Sequence, residues 1–251
     1  MQSIKRSISF LFLSLWLLTP SSQAQDVITI SSGEWPPYIS QQLPHYGVTS
    51  QIVSEAFEQV GVTVKYEFLP WSRALEAARA GELDASLGWA ITEERKQDFW
   101  FSEQPISTET TVLFYHKDSP LKWGEVWREN LLKPYRVGGT LGYEYGEKFD
   151  NKEKEGHFLI RRYNEDKLGF RFLLKKQIDF FPIDLTVARH ILKQHFPLQQ
   201  NQFGYIEEPL YVAELYLLIS KKTPQSIRFK QRFDEGMKRL QASGRLAELK
   251  K

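Results

Sequence analysis

Two hydrophobic periods alternate along the chain. Residues 27–31 form a short β-branched run and read as a strand. Trp35-Pro36-Pro37-Tyr38 then marks a turn, because two prolines exclude helix. Over residues 50–60, Ile52, Val53, Ala56, Phe57 and Val60 share one helical face, and Gly61 ends it. Val62, Val64, Tyr66 and Phe68 alternate with Thr63, Lys65 and Glu67, the period of two expected of a half-buried strand. A helix over about 72–80 stops at Gly81, and 83–87 begins another strand. This βαβαβ order with short connections predicts a parallel sheet covered by helices.

The order recurs further on. Residues 135–138 read as a strand entering a glycine-containing turn, with a helix from about Tyr143; a strand (157–162), a helix (166–176) and a strand (178–183) follow. Between the two units lie 109–116 and 211–220, both apolar, β-branched and aromatic, which as strands carry the chain out of the first unit and back. Thr223 as N-cap, Pro224 at the first helical position and Gly244 beyond the end delimit a C-terminal helix. The pattern predicts an α/β protein of two lobes, each a mixed, mostly parallel sheet flanked by helices. Lobe 1 takes 25–108 plus 212–251, lobe 2 takes 109–211, and two crossing strands form a hinge. Ligands usually bind between such lobes.

The first residues stand outside this scheme. Lys5 and Arg6 precede an apolar run over 8–18, and Ser22-Gln23-Ala24 has small residues where a signal peptidase reads. Residues 1–24 are therefore expected to be a cleavable secretory signal and the mature chain to lie in the periplasm. The run is shorter than the roughly 20 residues of a membrane span. No cysteine follows it, so the usual bacterial lipid anchor has no acceptor. The net charge of +2 also belongs to the precursor, since removing Lys5 and Arg6 from 33 basic residues leaves them equal to the 31 acidic ones. A neutral mature chain offers no electrostatic reason to expect nucleic acid or anionic membrane as partner. Zero cysteines exclude disulfides and thiolate-bound metal.

One segment carries a resemblance. Thr92-Glu93-Glu94-Arg95-Lys96-Gln97-Asp98-Phe99-Trp100-Phe101-Ser102, with Pro105 beyond, is similar to the T-x-x-R-x-x-x-x-x-F-S segment of bacterial family-3 solute-binding proteins, the polar amino-acid receptors of ABC importers. The Trp35-x-Pro-Tyr38 turn, Gly81-Glu82-Leu83-Asp84, Arg136-Val137-Gly138 and the stretch from Ile178-Asp179 to Asp184 resemble the same family in the same order. The resemblance implies a type II periplasmic-binding-protein fold, no cofactor and no catalysis. It also implies a monomer that closes on an amino acid or close relative and docks onto an inner-membrane ABC permease.

Site residues follow from the resemblance position by position. Arg95 takes the place of the arginine that grips a ligand carboxylate, and a guanidinium fork suits that bidentate contact. The plainer alternative is a surface ion pair with Glu93 or Glu94. Gly88, Trp89 and Ala90 match a stretch whose backbone contacts the ligand, the Ala90 N–H assisting Arg95. Asp184 matches the carboxylate that holds an α-ammonium, although its position at a strand–helix junction equally suits an N-cap. Trp35 matches an aromatic flanking the ligand, or else packs on its prolines.

Two departures bear on the ligand. Where relatives commonly have Gly-Thr-Thr or Gly-Ser-Thr, this chain has Gly142-Tyr143-Glu144. Gly142 and Tyr143 are the contact candidates in this loop, and the backbone N–H groups of Tyr143 and Glu144 at a helix N-terminus still suit an anion. Glu144 is expected to point away as a first-turn acid; pointing inward, it implies a more cationic ligand. Trp71 and Arg73 open a helix at the cleft edge and are side-chain contact candidates, with a core tryptophan and a solvated arginine as the alternative. No phosphate loop or nucleophile elbow is present, and His190 and His195, five apart, are poorly spaced for one metal. A dehydratase-like enzyme on the same fold, or a free ligand sensor, remains the alternative function.

Overall fold

The computed structural model describes residues 26–119, 135–156 and 158–250. The expected signal segment lies outside them, as does His157, the first residue of one predicted strand. Strand β1 (Asp26–Ser32) pairs in parallel with β2 (Val62–Phe68) along its length and with β3 (Ala85–Trp89) on its other edge. The crossovers are α1 (Val48–Glu58), which buries Ile52, Val53, Ala56 and Phe57, and α2 (Trp71–Ala80), which buries Ala74, Ala77 and Ala78. β3 begins two residues later than the apolar pattern suggests. The Asp84 carboxylate accepts from the Thr29 N–H (2.9 Å) and hydroxyl (2.7 Å), which keeps Asp84 in the turn rather than the ladder.

Helix α3 (Arg95–Asp98), β4 (Phe99–Phe101) and β5 (Ser107–His116) follow. The two expected crossing segments are one antiparallel pair: in β10 (Tyr211–Ser220), Tyr211 to Leu215 face Thr111 to Ser107 of β5. The rest of β10 continues antiparallel to β3 and β4. Further along, β5 pairs with β8 (Phe181–Asp184) and β9 (Phe203–Tyr205), so the main sheet runs β2-β1-β3-β10-β5-β8. β6 (Val137–Thr140) and β7 (Ile160–Tyr163) form a separate parallel pair, bridged to Phe180. Parallel pairing thus holds within each βαβ unit, and every pairing of β5 and β10 is antiparallel.

Helices α4 (Glu147–Lys154), α5 (Asp166–Leu174) and α6 (Leu185–His195) accompany β6 to β8. Two predicted helix starts need correction. α4 begins at Glu147 instead of about Tyr143, because Gly142 and Gly146 at φ 82° and 94° turn the chain through a loop first. The C-terminal helix α7 (Ser226–Ala242) has Gln225 at its N-cap, and Thr223 accepts from the Ser226 N–H in the preceding turn. α7 packs on α1, where Phe57 meets Phe229 and Phe233. Gly236 makes this approach possible: a Cβ there would sit 1.9 Å from the Ala56 carbonyl oxygen. Gly244, left-handed at φ 78°, precedes the short α8 (Arg245–Leu249).

Candidate functional site

Side chains from both βαβ units meet at one cavity, open to solvent. Its floor is the crossing pair. Tyr211, Ala213 and Leu215 share one face of β10 by the alternation of a strand, and Glu109 lies directly opposite Ala213. Glu109, Tyr211 and Leu215 line the cavity. The Thr111 hydroxyl donates to Glu109 Oε1 at 2.7 Å. Burial pushes the Glu109 carboxyl up to about 7; the Thr111 bond opposes this, while Asp184, Asp166 and Glu144 add to it.

One wall is aromatic. Trp35 closes a tight turn with Ile39 and stacks on Tyr38 at 4.5 Å, so packing and cavity lining coexist there. Trp71, the first residue of α2, reaches the cavity because Gly33 and Gly88 leave room for its ring. It meets Trp89 edge to face at 5.2 Å, and Trp89 Nε1 donates to the Ser86 hydroxyl at 2.8 Å. The Arg95 guanidinium lies 5.0 Å over the Trp89 ring and is 8% exposed. Arg95 Nη1 donates to the carbonyl of Ala90 at 3.1 Å.

The opposite wall is the loop between β6 and α4. Its strand end is held where the Thr140 N–H donates to the Tyr145 hydroxyl at 2.6 Å. Asp166 accepts from the Thr140 hydroxyl (2.6 Å) and the Tyr143 hydroxyl (3.1 Å), so both its oxygens are engaged. Burial raises the Asp166 carboxyl and holds the Tyr143 phenol well above its ordinary value. Gly142 and Tyr143 line the cavity, but in a loop and not at a helix N-terminus. Glu144 departs from the expectation that it points away. Its Oε1 accepts from Arg95 Nη2 at 3.1 Å across the cavity. Glu93 and Glu94 pair with Lys96 and Arg79 instead.

Eight of the ten sequence-derived site residues therefore converge: Trp35, Trp71, Gly88, Trp89, Ala90, Arg95, Gly142 and Tyr143. Two do not. Arg73 is exposed on α2 and is not among the cavity residues, because the helix turns its alanine face, Ala74, Ala77 and Ala78, to the sheet. Asp184, 2% exposed, caps α6: Oδ1 accepts from the N–H groups of Thr186 (2.9 Å) and Val187 (3.0 Å), and Oδ2 from Thr110 (2.8 Å). The cap takes one oxygen and the Thr110 N–H of β5 the other, so both are engaged within the protein. Sequence reasoning missed Glu109, Tyr211 and Leu215. The available signal was a carboxylate inside the otherwise β-branched, aromatic run of 109–116. Among the described residues no cluster of metal-ligating side chains occurs, and no helix is long and apolar enough to cross a membrane.

The model of the bacterial extracellular solute-binding proteins, family 3, matches residues 27–251. No curated protein sequence matches the chain. Among solved structures, the substrate-binding protein of an amino acid ABC transporter is 19% identical with a TM-score of 0.70, covering 89% of this chain and 96% of its own. The arginine-, lysine-, histidine-binding protein ArtJ from Geobacillus stearothermophilus is 20% identical with a TM-score of 0.68, over 89% and 93% of the two chains. An ancestral amino acid-binding protein, a precursor of cyclohexadienyl dehydratase, is 18% identical with a TM-score of 0.67, over 89% and 92%. What these share with the chain is the two-lobed type II fold.

Proposed function

The chain belongs to the bacterial extracellular solute-binding proteins of family 3, and from that premise we propose that it captures a small polar ligand carrying an amino group, an amino acid or close relative. Residues 25–108 with 212–251 form one lobe and 109–211 the other; the lobes close by bending at β5 and β10. The mature protein, freed of residues 1–24, works as a monomer in the periplasm and presents its closed form to an ABC permease.

The observation that carries this reading is the convergence on one cavity of Arg95, which follows β3, and Tyr143 and Glu144, which follow β6. A cavity with acidic and aromatic walls suits an ammonium group, because a carboxylate and the faces of tryptophan and tyrosine rings all attract a cation. Calorimetry of the mature chain against the amino acids and small primary amines tests the reading. A ligand at about 100 times its Kd adds about 2.7 kcal/mol of stability and raises the melting midpoint. Silence across the whole panel defeats the proposal.

Glu109 favours a second reading. A carboxyl poised near 7 in a cavity suits a general acid, as a dehydratase requires. Turnover of prephenate or arogenate by the purified protein distinguishes catalysis from capture.

A further inference from the structure

We propose that Glu144 occupies on Arg95 the position of a ligand's carboxylate, and that the cavity thereby selects a small organic cation over the amino acid with the same side chain. The inference rests on the reading above that this cavity is the ligand site.

Arg95 is already provided for. Nη1 is held by the Ala90 carbonyl and Nη2 by Glu144 Oε1, both at 3.1 Å, with Trp89 against the guanidinium face. The acid that reaches it is not a sequence neighbour on a loose surface loop. It comes from 49 residues away, on a segment tied down on both sides: Tyr143 to Asp166 through its hydroxyl, and Tyr145 to Thr140 through its own.

The charges along the cavity then decide what enters. Arg95, Glu109 and Glu144 are the ionisable acids and bases of its lining apart from the tyrosine hydroxyls. Arg95 and Glu144 neutralise each other, which leaves Glu109 among Trp35, Trp71, Trp89, Tyr143 and Tyr211. A zwitterion must bring its carboxylate to Arg95 by displacing Glu144, which exchanges one carboxylate for another with no gain in ion pairs. The released Glu144 is then a second acid, no longer neutralised by Arg95, on a lining that already holds Glu109. An ammonium group without a carboxylate displaces nothing, meets Glu109 and packs on aromatic faces. Glu144 is thus a specificity residue, and Glu109 is the group that recognises the cation.

Matched pairs differing only by the carboxylate test this: lysine with cadaverine and arginine with agmatine, titrated into wild type, Glu144→Gln and Glu144→Ala. Wild type is expected to bind each amine at least tenfold more tightly than its amino acid. Both variants should shift that ratio toward the amino acid by at least tenfold, since Arg95 is then free to take a carboxylate. Two variants at an exposed loop position guard against one failing to fold, and circular dichroism checks both. Tighter binding of the amino acids by wild type overturns the inference while leaving capture intact. An unmoved ratio in both folded variants does the same. If neither member of any pair binds, the inference falls, and the wider panel decides whether the capture reading falls with it.

Discussion

Arg95 and Glu144 meet at 3.1 Å across the cavity, one from the segment after β3 and the other from the loop after β6. The pair is lopsided: the arginine side chain is 10% exposed and the glutamate 54%. The half-hydrated partner limits what the pair adds to stability, to roughly 0.5–1 kcal/mol. A double-mutant cycle on Arg95→Ala and Glu144→Gln, read by urea unfolding, should return a coupling of that size. Arg95→Ala alone should cost more, about 2 kcal/mol, because it also removes a buried hydrogen bond and the packing on Trp89. A coupling well above 2 kcal/mol would contradict this account.

Glu109 makes the site sensitive to pH. Its carboxyl sits up at about 7 because it is buried among like charges, with Asp184 from β8, Asp166 from α5 and Glu144 from the facing loop. An acid whose folded value lies above its unfolded one binds the proton more tightly when folded. Its contribution is therefore favourable at low pH and is lost as pH rises through about 7. A bound cation reverses the preference, because it favours the ionised carboxylate. Amine affinity should accordingly rise between pH 6 and pH 8, with up to about one proton released per ligand. Titration in two buffers of different ionisation enthalpy measures that proton. Glu109→Gln should abolish the pH dependence, weaken amine binding at least tenfold, and stabilise the ligand-free protein above pH 7.

The tryptophan wall depends on two glycines. A Cβ on Gly33 would lie 2.3 Å from the Trp71 ring, and one on Gly88, at φ 93°, would lie 3.2 Å from Ile39 and 3.3 Å from Trp71. Gly33→Ala should destabilise by about 1–3 kcal/mol through overpacking. Gly88→Ala adds backbone strain of about 1 kcal/mol or more to a tighter contact. Both should also weaken ligand binding by displacing Trp71. Denaturant melts together with tryptophan fluorescence follow the two effects, and an unperturbed Gly33→Ala protein would refute the close approach.

Asp184 offers the sharpest separation of stability from binding. Replacing it with alanine leaves the Thr186, Val187 and Thr110 N–H groups without their acceptor, at a cost of about 2–3 kcal/mol. Ligand affinity measured below the melting transition should stay within about threefold, for a change under about 0.7 kcal/mol. A large loss of affinity with stability intact would return Asp184 to the ligand.

Much of the architecture is legible along the chain because burial imposes a period. The alternation at Val62 to Phe68 gave a strand with those limits, and the face of Ile52, Val53, Ala56 and Phe57 gave a helix buried on those residues. Boundaries slipped where something non-periodic intervened. Asp84 bonds to β1 and delays β3, and two left-handed glycines postpone α4. The misplaced start of α4 had a consequence for the site: read as a first-turn acid, Glu144 points away, whereas in a loop it reaches Arg95.

Local order of this kind determined the α/β elements, the two βαβ units and the crossing strands, because each depends on residues a few positions apart, while most of the cavity lining was legible only through the family resemblance. The tertiary structure decided the charges. Whether Glu144 turns inward, whether the second oxygen of Asp184 meets Thr110, and whether Glu109 faces a cavity depend on distances between segments 49 or more residues apart, or on strands that pair only after the chain has crossed and returned. An ionisable side chain carries no period, and several partners compete for each. The choice among them is made by desolvation and Coulomb attraction at positions that exist only once the two units have been brought together.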